Sequence, residues 1–178
     1  MAKTTWTVDT VHSEIGFSVK HMMISKAKGT FENFSAVIEA DPEDLTDSKI
    51  EVTIDAASIN TRNEDRDNHL RSADFFDAEN HPKITFAATD IKKKSDSNYD
   101  VTGDLTIRGT TKPVTIDVDY EGQSKDPMGG NTVAGFSGKT KINRKEFGLT
   151  WNAAVETGGV LVGEDVTINF ELEVHKEG

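Results

Sequence analysis

The chain has 178 residues, with 31 Asp and Glu against 20 Lys and Arg, a formal net charge of -11 and no cysteine. So acidic a chain is repelled at long range by phosphate backbones and anionic membrane surfaces, which disfavours nucleic acid as a partner, and without cysteine there is no disulfide framework, thiolate metal site or thiol nucleophile. With 35% hydrophobic residues and nine Phe spread along its length, it is expected to fold as one domain over 1–178 around a sizeable core.

The opening, MAKTTWTVDT, lacks the charged and apolar regions of a secretory leader. No apolar run approaches the roughly 18 residues of a membrane span, so a soluble cytoplasmic chain without stable membrane insertion is expected. The first clear element has Ile15, Phe17 and Val19 alternating with Glu14, Gly16, Ser18 and Lys20, the period of a strand with one apolar face. The period recurs at Ile50, Val52 and Ile54, at Ile84 and Phe86, and at Val101, Gly103, Leu105 and Ile107. It continues at Val114, Ile116 and Val118, at Ala134 and Phe136, and from Val166 through Ile168, Phe170 and Leu172 to Val174. Turn signals separate these runs: DPED, KSDSN, RGTTKP, DPMGGN and VGED. The pattern predicts roughly eight antiparallel strands of about ten residues, joined mostly as hairpins. Period alone leaves open whether they form a barrel or a sandwich, and whether the apolar faces fill a core or line a cavity.

One segment breaks the period. In NTRNEDRDNHLRS, residues 60–72, Thr61 followed by Glu64 has the form of a capping box, which predicts a short polar helix near 62–71. Leu70 is its lone apolar residue, so docking is expected to depend on Phe75 and Phe76 just after it. A second helical turn is expected at NRKEFGLT, ending near Gly148.

Chemistry-bearing constellations are sparse. Histidines stand at 12, 21, 69, 81 and 175, but no pair has helix-face spacing and no HExxH occurs, so no metal site is expected. His175 is out of phase with Val174 and is expected to face solvent; His21 is in phase with Phe17 and Val19 and is expected to point inward. DVDYEG, 117–122, mimics half of a calcium loop, but Met128 stands where a bidentate Glu is needed, and a strand end followed by a turn is the better account. Ser13 adjoins His12, yet strand neighbours point to opposite faces and cannot pair. GGVLVG, 158–163, leads into a strand rather than a phosphate-binding helix. The sequon at Asn33 carries little weight without a leader.

Four ordered motifs, WTVDTVHSEIGFSVKHM, RDNHLRSADFFDAENHPKITF, LTIRGTTKPV and INRKEFGL, resemble those of the YceI-like, or polyisoprenoid-binding, family almost from end to end. The resemblance implies an all-β, lipocalin-like, extended eight-stranded antiparallel barrel with the short helical insertion near 62–71. Its hollow interior would bind a long-chain isoprenoid or quinone-like lipid without catalysis, cofactor or metal. The side chains expected to meet that lipid are Phe17, Val19, His21, Ile54, Phe86, Leu105, Ile107, Phe136, Ile168 and Phe170, with Phe75 and Phe76 plugging or gating one end. His69, Arg71, Asp74 and Asp77 are expected to hydrogen-bond the crossover beside that gate. Arg62, Arg66 and Arg71 are expected to pair with Glu64, Asp65 and Asp67, or else to meet a phosphate head. Family members often pair, so a homodimer is a further expectation, whereas the secretion signal that many of them carry is not seen here. Two rivals stand beside the carrier: an enzyme using His21 or His69 with a nearby acid, and a filled barrel serving as an interaction module.

Overall fold

In the computed structural model, which describes residues 3–22, 24–41, 43–152 and 161–177, the alternating runs become strands whose pairings are all antiparallel. They are β1 (Thr4–Val8), β2 (Glu14–His21), β3 (Ser25–Phe31), β4 (Phe34–Asp41), β5 (Asp44–Asp55), β6 (Ile59–Asn60), β7 (Lys83–Lys93), β8 (Asn98–Ile107), β9 (Thr110–Lys125), β10 (Thr132–Asn143) and β11 (Val162–Lys176), with helix α1 at Glu64–Arg71. Six of these are interrupted halves. β1 and β2 lie end to end along β11, with Trp6 opposite Lys176 and Phe17 opposite Ile168. β4 and β3 answer them as the returning limb, with Ile38 opposite Trp6 and Gly29 opposite Phe17. β5 and β6 follow in the same way, against β4 and β3.

Counted as continuous walls, the eight strands run in chain order, and β11 returns to β1 and β2 to close the barrel. Closure removes the exposed edges that an open sheet of this size would present. The lipocalin-like architecture is therefore borne out, barrel rather than sandwich. At the end where β1 meets β11, Trp6, Ala134 and Val174 are buried, and Trp6 Nε1 donates to the Ala40 carbonyl at 3.3 Å. No helix among the described residues is long and apolar enough to cross a membrane.

Several local expectations are corrected. Strands run from two to sixteen residues rather than about ten. VGED is the start of β11, where the register against β2 shifts between Val162 and Val166, so its glycine serves a bulge instead of a turn. DVDYEG lies inside β9, not at its end; Gly122 takes φ 110° and the pairing shifts near Gly135 and Phe136, which lets the strand continue. Helix α1 starts at Glu64, capped by Asn63, whose Oδ1 accepts Arg66 N at 3.0 Å. Thr61 cannot cap it, because Arg62 turns the chain with φ 64°. The turn near NRKEFGLT forms as expected, a 3-10 helix over Arg144–Phe147 ended by Gly148 at φ 83°. Of GGVLVG, residues 158–160 lie outside the described residues.

Candidate functional site

Inward side chains from the barrel wall enclose a cavity of about 250 Å³. Its lining is almost wholly aliphatic and aromatic; among the described residues the polar members are Ser48, Tyr99, Thr140 and Arg144, with no carboxylate or imidazole. Phe17, Val19, Ile54, Phe75, Phe76, Phe86, Leu105, Ile107, Phe136, Ile168 and Phe170 all line this chamber. His21 does not, which corrects its expected inward role. It is the last residue of β2, paired with Ser25 and Val162, and the chain leaves the strand there with Met22 at φ 54°.

The interior is hollow because three of its largest rings lie against glycine. Phe17 is directly opposite Gly29, Phe170 is opposite Gly138, and Phe86 is diagonal to Gly103. A Cβ added at those glycines would lie 2.6 Å from Phe17 Cζ, 2.5 Å from Phe170 Cζ and 2.5 Å from Phe86 Cζ. Carbon atoms rest about 3.5–4.0 Å apart, so no larger residue leaves room for the ring at the wall. Each ring lies over the glycine of the neighbouring strand, close against the wall. Sequence reasoning noted Gly103 only as a member of an alternating run and missed Gly29 and Gly138. It also missed Phe34 and Ile38, part of the lining from β4, although the alternation of FSAVIEA carried that signal.

One end of the chamber is covered by α1 and the turns that follow. Leu70, Phe75 and Phe76 face the cavity. Phe76 packs edge-on against Phe31 with centroids 5.8 Å apart, and Phe31 against Phe17 at 5.6 Å. Phe75, His69 and Trp151 form an aromatic triangle with separations of 5.0, 4.7 and 5.4 Å. The helix is fastened by polar bonds. Asp67, buried, accepts from the amide of Thr61 at 2.9 Å and from its hydroxyl.

Arg66 donates to the Thr61 carbonyl at 2.7 Å, and Arg71 to the carbonyls of Ala57 and Ile59 at 2.8 and 3.2 Å. Among the described residues none of the expected ion pairs joins Arg66 or Arg71 to Glu64, Asp65 or Asp67; besides these carbonyls they bond to the Thr61 hydroxyl at 2.8 Å and to Asn68 Oδ1 at 2.9 Å. His69 Nε2 meets Asp74 Oδ2 at 2.9 Å, and Asp77 accepts from Asn80, so the crossover is hydrogen-bonded as its composition suggested. Arg108 Nη1 ties the Phe75 carbonyl at 2.8 Å.

Arg144 is the charged member of the lining, and only 4% of it is exposed. Its Nε donates to the Gly163 carbonyl at 2.7 Å, Nη1 to the carbonyls of Leu149 and of Trp151 (3.0 Å), and Nη2 to that of Val162 at 3.2 Å. Burial pulls its pKa below the usual arginine value, opposed by the charge of Glu164, and it remains a cation. Its hydrogen-bonding capacity is largely spent on backbone, so it clasps the segments flanking residues 153–160. Nucleophile chemistry finds no assembly at Ser13, whose hydroxyl exchanges bonds with the backbone of Glu173.

A family model described as a YceI-like domain matches residues 6–174. A UPF0312 protein of Staphylococcus epidermidis is 46% identical over 170 residues, 96% of each chain, and one from Staphylococcus aureus is 45% identical over the same span. Among solved structures, the YceI protein of Campylobacter jejuni superposes with a TM-score of 0.77 at 36% identity, covering 96% of both chains. BcnA of Burkholderia cenocepacia gives 0.82 at 28%, covering 93% of this chain and 98% of its own. A polyisoprenoid-binding domain from Saccharophagus degradans gives 0.75 at 15% identity, covering 98% and 99%, and shares the fold.

Proposed function

The chain belongs to the YceI-like family, and from that premise we propose that it binds a long-chain isoprenoid or quinone-like lipid in the barrel, as a non-catalytic carrier or store. The observation that carries the reading is the hollow chamber with its rings laid on glycine. A filled core has no use for Gly29, Gly103 and Gly138 at inward positions, because each gives up burial that a larger side chain supplies. Burial of an apolar tail yields roughly 25 cal/mol per Å², so such a site favours chain length over head-group identity. The described lining is apolar apart from Ser48, Tyr99, Thr140 and the backbone-bonded Arg144, which supports binding of an apolar chain.

The cavity of about 250 Å³ exceeds the ~150 Å³ that holds benzene in an apolar cavity. It admits the end of an isoprenoid as it stands, and a longer chain requires the rings and the cover of Phe75 and Phe76 to move aside. Mass spectrometry of an organic extract of freshly purified protein tests the reading, together with quenching of Trp151 fluorescence by added prenyl alcohols. A co-purifying isoprenoid and saturable quenching are expected. An extract without apolar ligand, combined with unaltered fluorescence, overturns it.

A further inference from the structure

We propose that the outer wall of the barrel carries a divalent transition-metal site formed by Asp9, Glu173 and His175, with His12 as a positioning residue. The site lies where the wall strand is interrupted between β1 and β2. The 9–13 segment is clamped over β11 there: Asp9 N donates to the Glu173 carbonyl at 2.8 Å, and the Glu173 amide donates to Ser13 Oγ at 2.9 Å. Glu173 and His175, two apart on β11, share its outer face. One carboxylate oxygen of Asp9 accepts from the amide of Val11 at 3.0 Å. The other is left facing His12 Nδ1 at 2.7 Å and His175 Nε2 at 3.3 Å.

His175 is the observation that points to a ligand. Its ring is partly exposed, but Nε2 itself is shut off from solvent and has no hydrogen-bond partner among the described residues. Two carboxylates stand beside it, Asp9 Oδ2 at 3.3 Å and Glu173 Oε1 at 3.8 Å, and neither is aligned to accept. A buried imidazole nitrogen without a partner costs free energy that a hydrogen bond or a coordinate bond removes. The three donor atoms lie within 4.8 Å of one another. Zinc bonds of about 2.0–2.1 Å put tetrahedral ligands roughly 3.3–3.4 Å apart. The Asp9 to His175 separation, 3.3 Å, already has that value, and Glu173 Oε1, 3.8 Å from His175 Nε2, must draw closer.

One imidazole with two carboxylates at this spacing suits the borderline Zn²⁺ better than Ca²⁺, which takes six or more oxygens. His12, hydrogen-bonded to the ligating oxygen, fixes the carboxylate in the manner of an outer partner. Glu121 and Glu171 line the neighbouring surface groove with His12 and Glu173 and add a field that draws cations. The fourth position is left to water. Spacing along the chain could not announce such a site, because Asp9 stands near one terminus and Glu173 and His175 near the other. An ion there would staple the β1–β2 interruption to β11, beside the seam that closes the barrel.

Isothermal titration of the metal-free full chain with ZnCl₂, MnCl₂ and CaCl₂ tests the proposal. One equivalent of Zn²⁺ is expected to bind saturably, to raise the melting temperature and to resist a tenfold excess of Ca²⁺. His175→Gln and Asp9→Asn are each expected to weaken Zn²⁺ at least tenfold and to abolish the thermal shift, while His81→Gln leaves both unchanged. Wild-type affinity in His175→Gln, or no saturable binding by the parent chain, overturns the proposal. Should a variant fail to fold, the ¹⁵N resonance of His175 Nε2 in the parent chain decides: a large shift on adding one equivalent of Zn²⁺ is expected, and an unmoved resonance refutes coordination.

Discussion

Replacing Gly138 with alanine tests whether the barrel is hollow where the rings meet the wall. The added Cβ would lie 2.5 Å from Cζ and 2.7 Å from Cε2 of Phe170, with the Asp117 carbonyl at 3.0 Å on the backbone side. Carbon contacts settle at about 3.5–4.0 Å, so the ring must withdraw by roughly 1–1.5 Å, and the lumen is the direction left to it. In a filled core the ring has nowhere to go, and overpacking costs about 1–3 kcal/mol, a fall in melting temperature of ~2–12 °C for a chain of this size. In a chamber of about 250 Å³ the ring swings inward, so the thermal loss stays at the low end while lipid loses space. Denying a bound chain about 60 Å² of apolar contact removes ~1.5 kcal/mol at 25 cal/mol per Å², or about tenfold in affinity. Differential scanning fluorimetry and titration with a prenyl alcohol read the two quantities. A double variant, Gly138→Ala with Phe170→Leu, should recover affinity. Undiminished affinity together with a melting temperature more than ~6 °C lower, at the high end of the overpacking range, refutes the argument.

Two further outcomes follow from the polar fastenings. Asp67→Ala orphans the Thr61 amide and hydroxyl beneath the helix; bonds to a charged acceptor are worth about 1.5–3 kcal/mol each, so hydrogen exchange over 61–76 should accelerate while the β8–β9 hairpin stays protected. Asp117 has its pKa held below the usual carboxylate value, chiefly by the hydrogen bond from Asn98 at 2.6 Å. A carboxyl depressed by folding stabilises above its unfolded pKa, and that stability is lost as pH falls through the folded value. Denaturation midpoints of Asn98→Ala and the parent should therefore differ at neutral pH and converge in acid; a difference that persists in acid assigns the effect to something other than this bond.

The central signature NHLRSADFFDAENH shows how residue types and positions divide the information. Its density of His, Asp and Arg suggests a reactive site when read as composition. In space, Arg71 reaches back to the carbonyls of Ala57 and Ile59, and His69 leans on Phe75, Trp151 and Asp74. The charges fasten a cover, and the cover presents Phe75 and Phe76 to the chamber. The strand β3 was less legible. SKAKGTF offers little contrast between its faces, and its interior Gly29 reads as a strand weakness until Phe17 is seen lying on it.

What the sequence by itself determined is the period: alternation from Ile15 to Val174 sets the strands, their faces and the antiparallel class, and the ordered motifs set the family. Side-chain period is local and survives without knowledge of neighbours. Tertiary structure alone decided that β11 returns to β1 and β2, that three rings meet three glycines, and that Asp9 meets His175. Each of these is a relation between residues on different strands, fixed by register and closure of the whole barrel, which side-chain period by itself does not set.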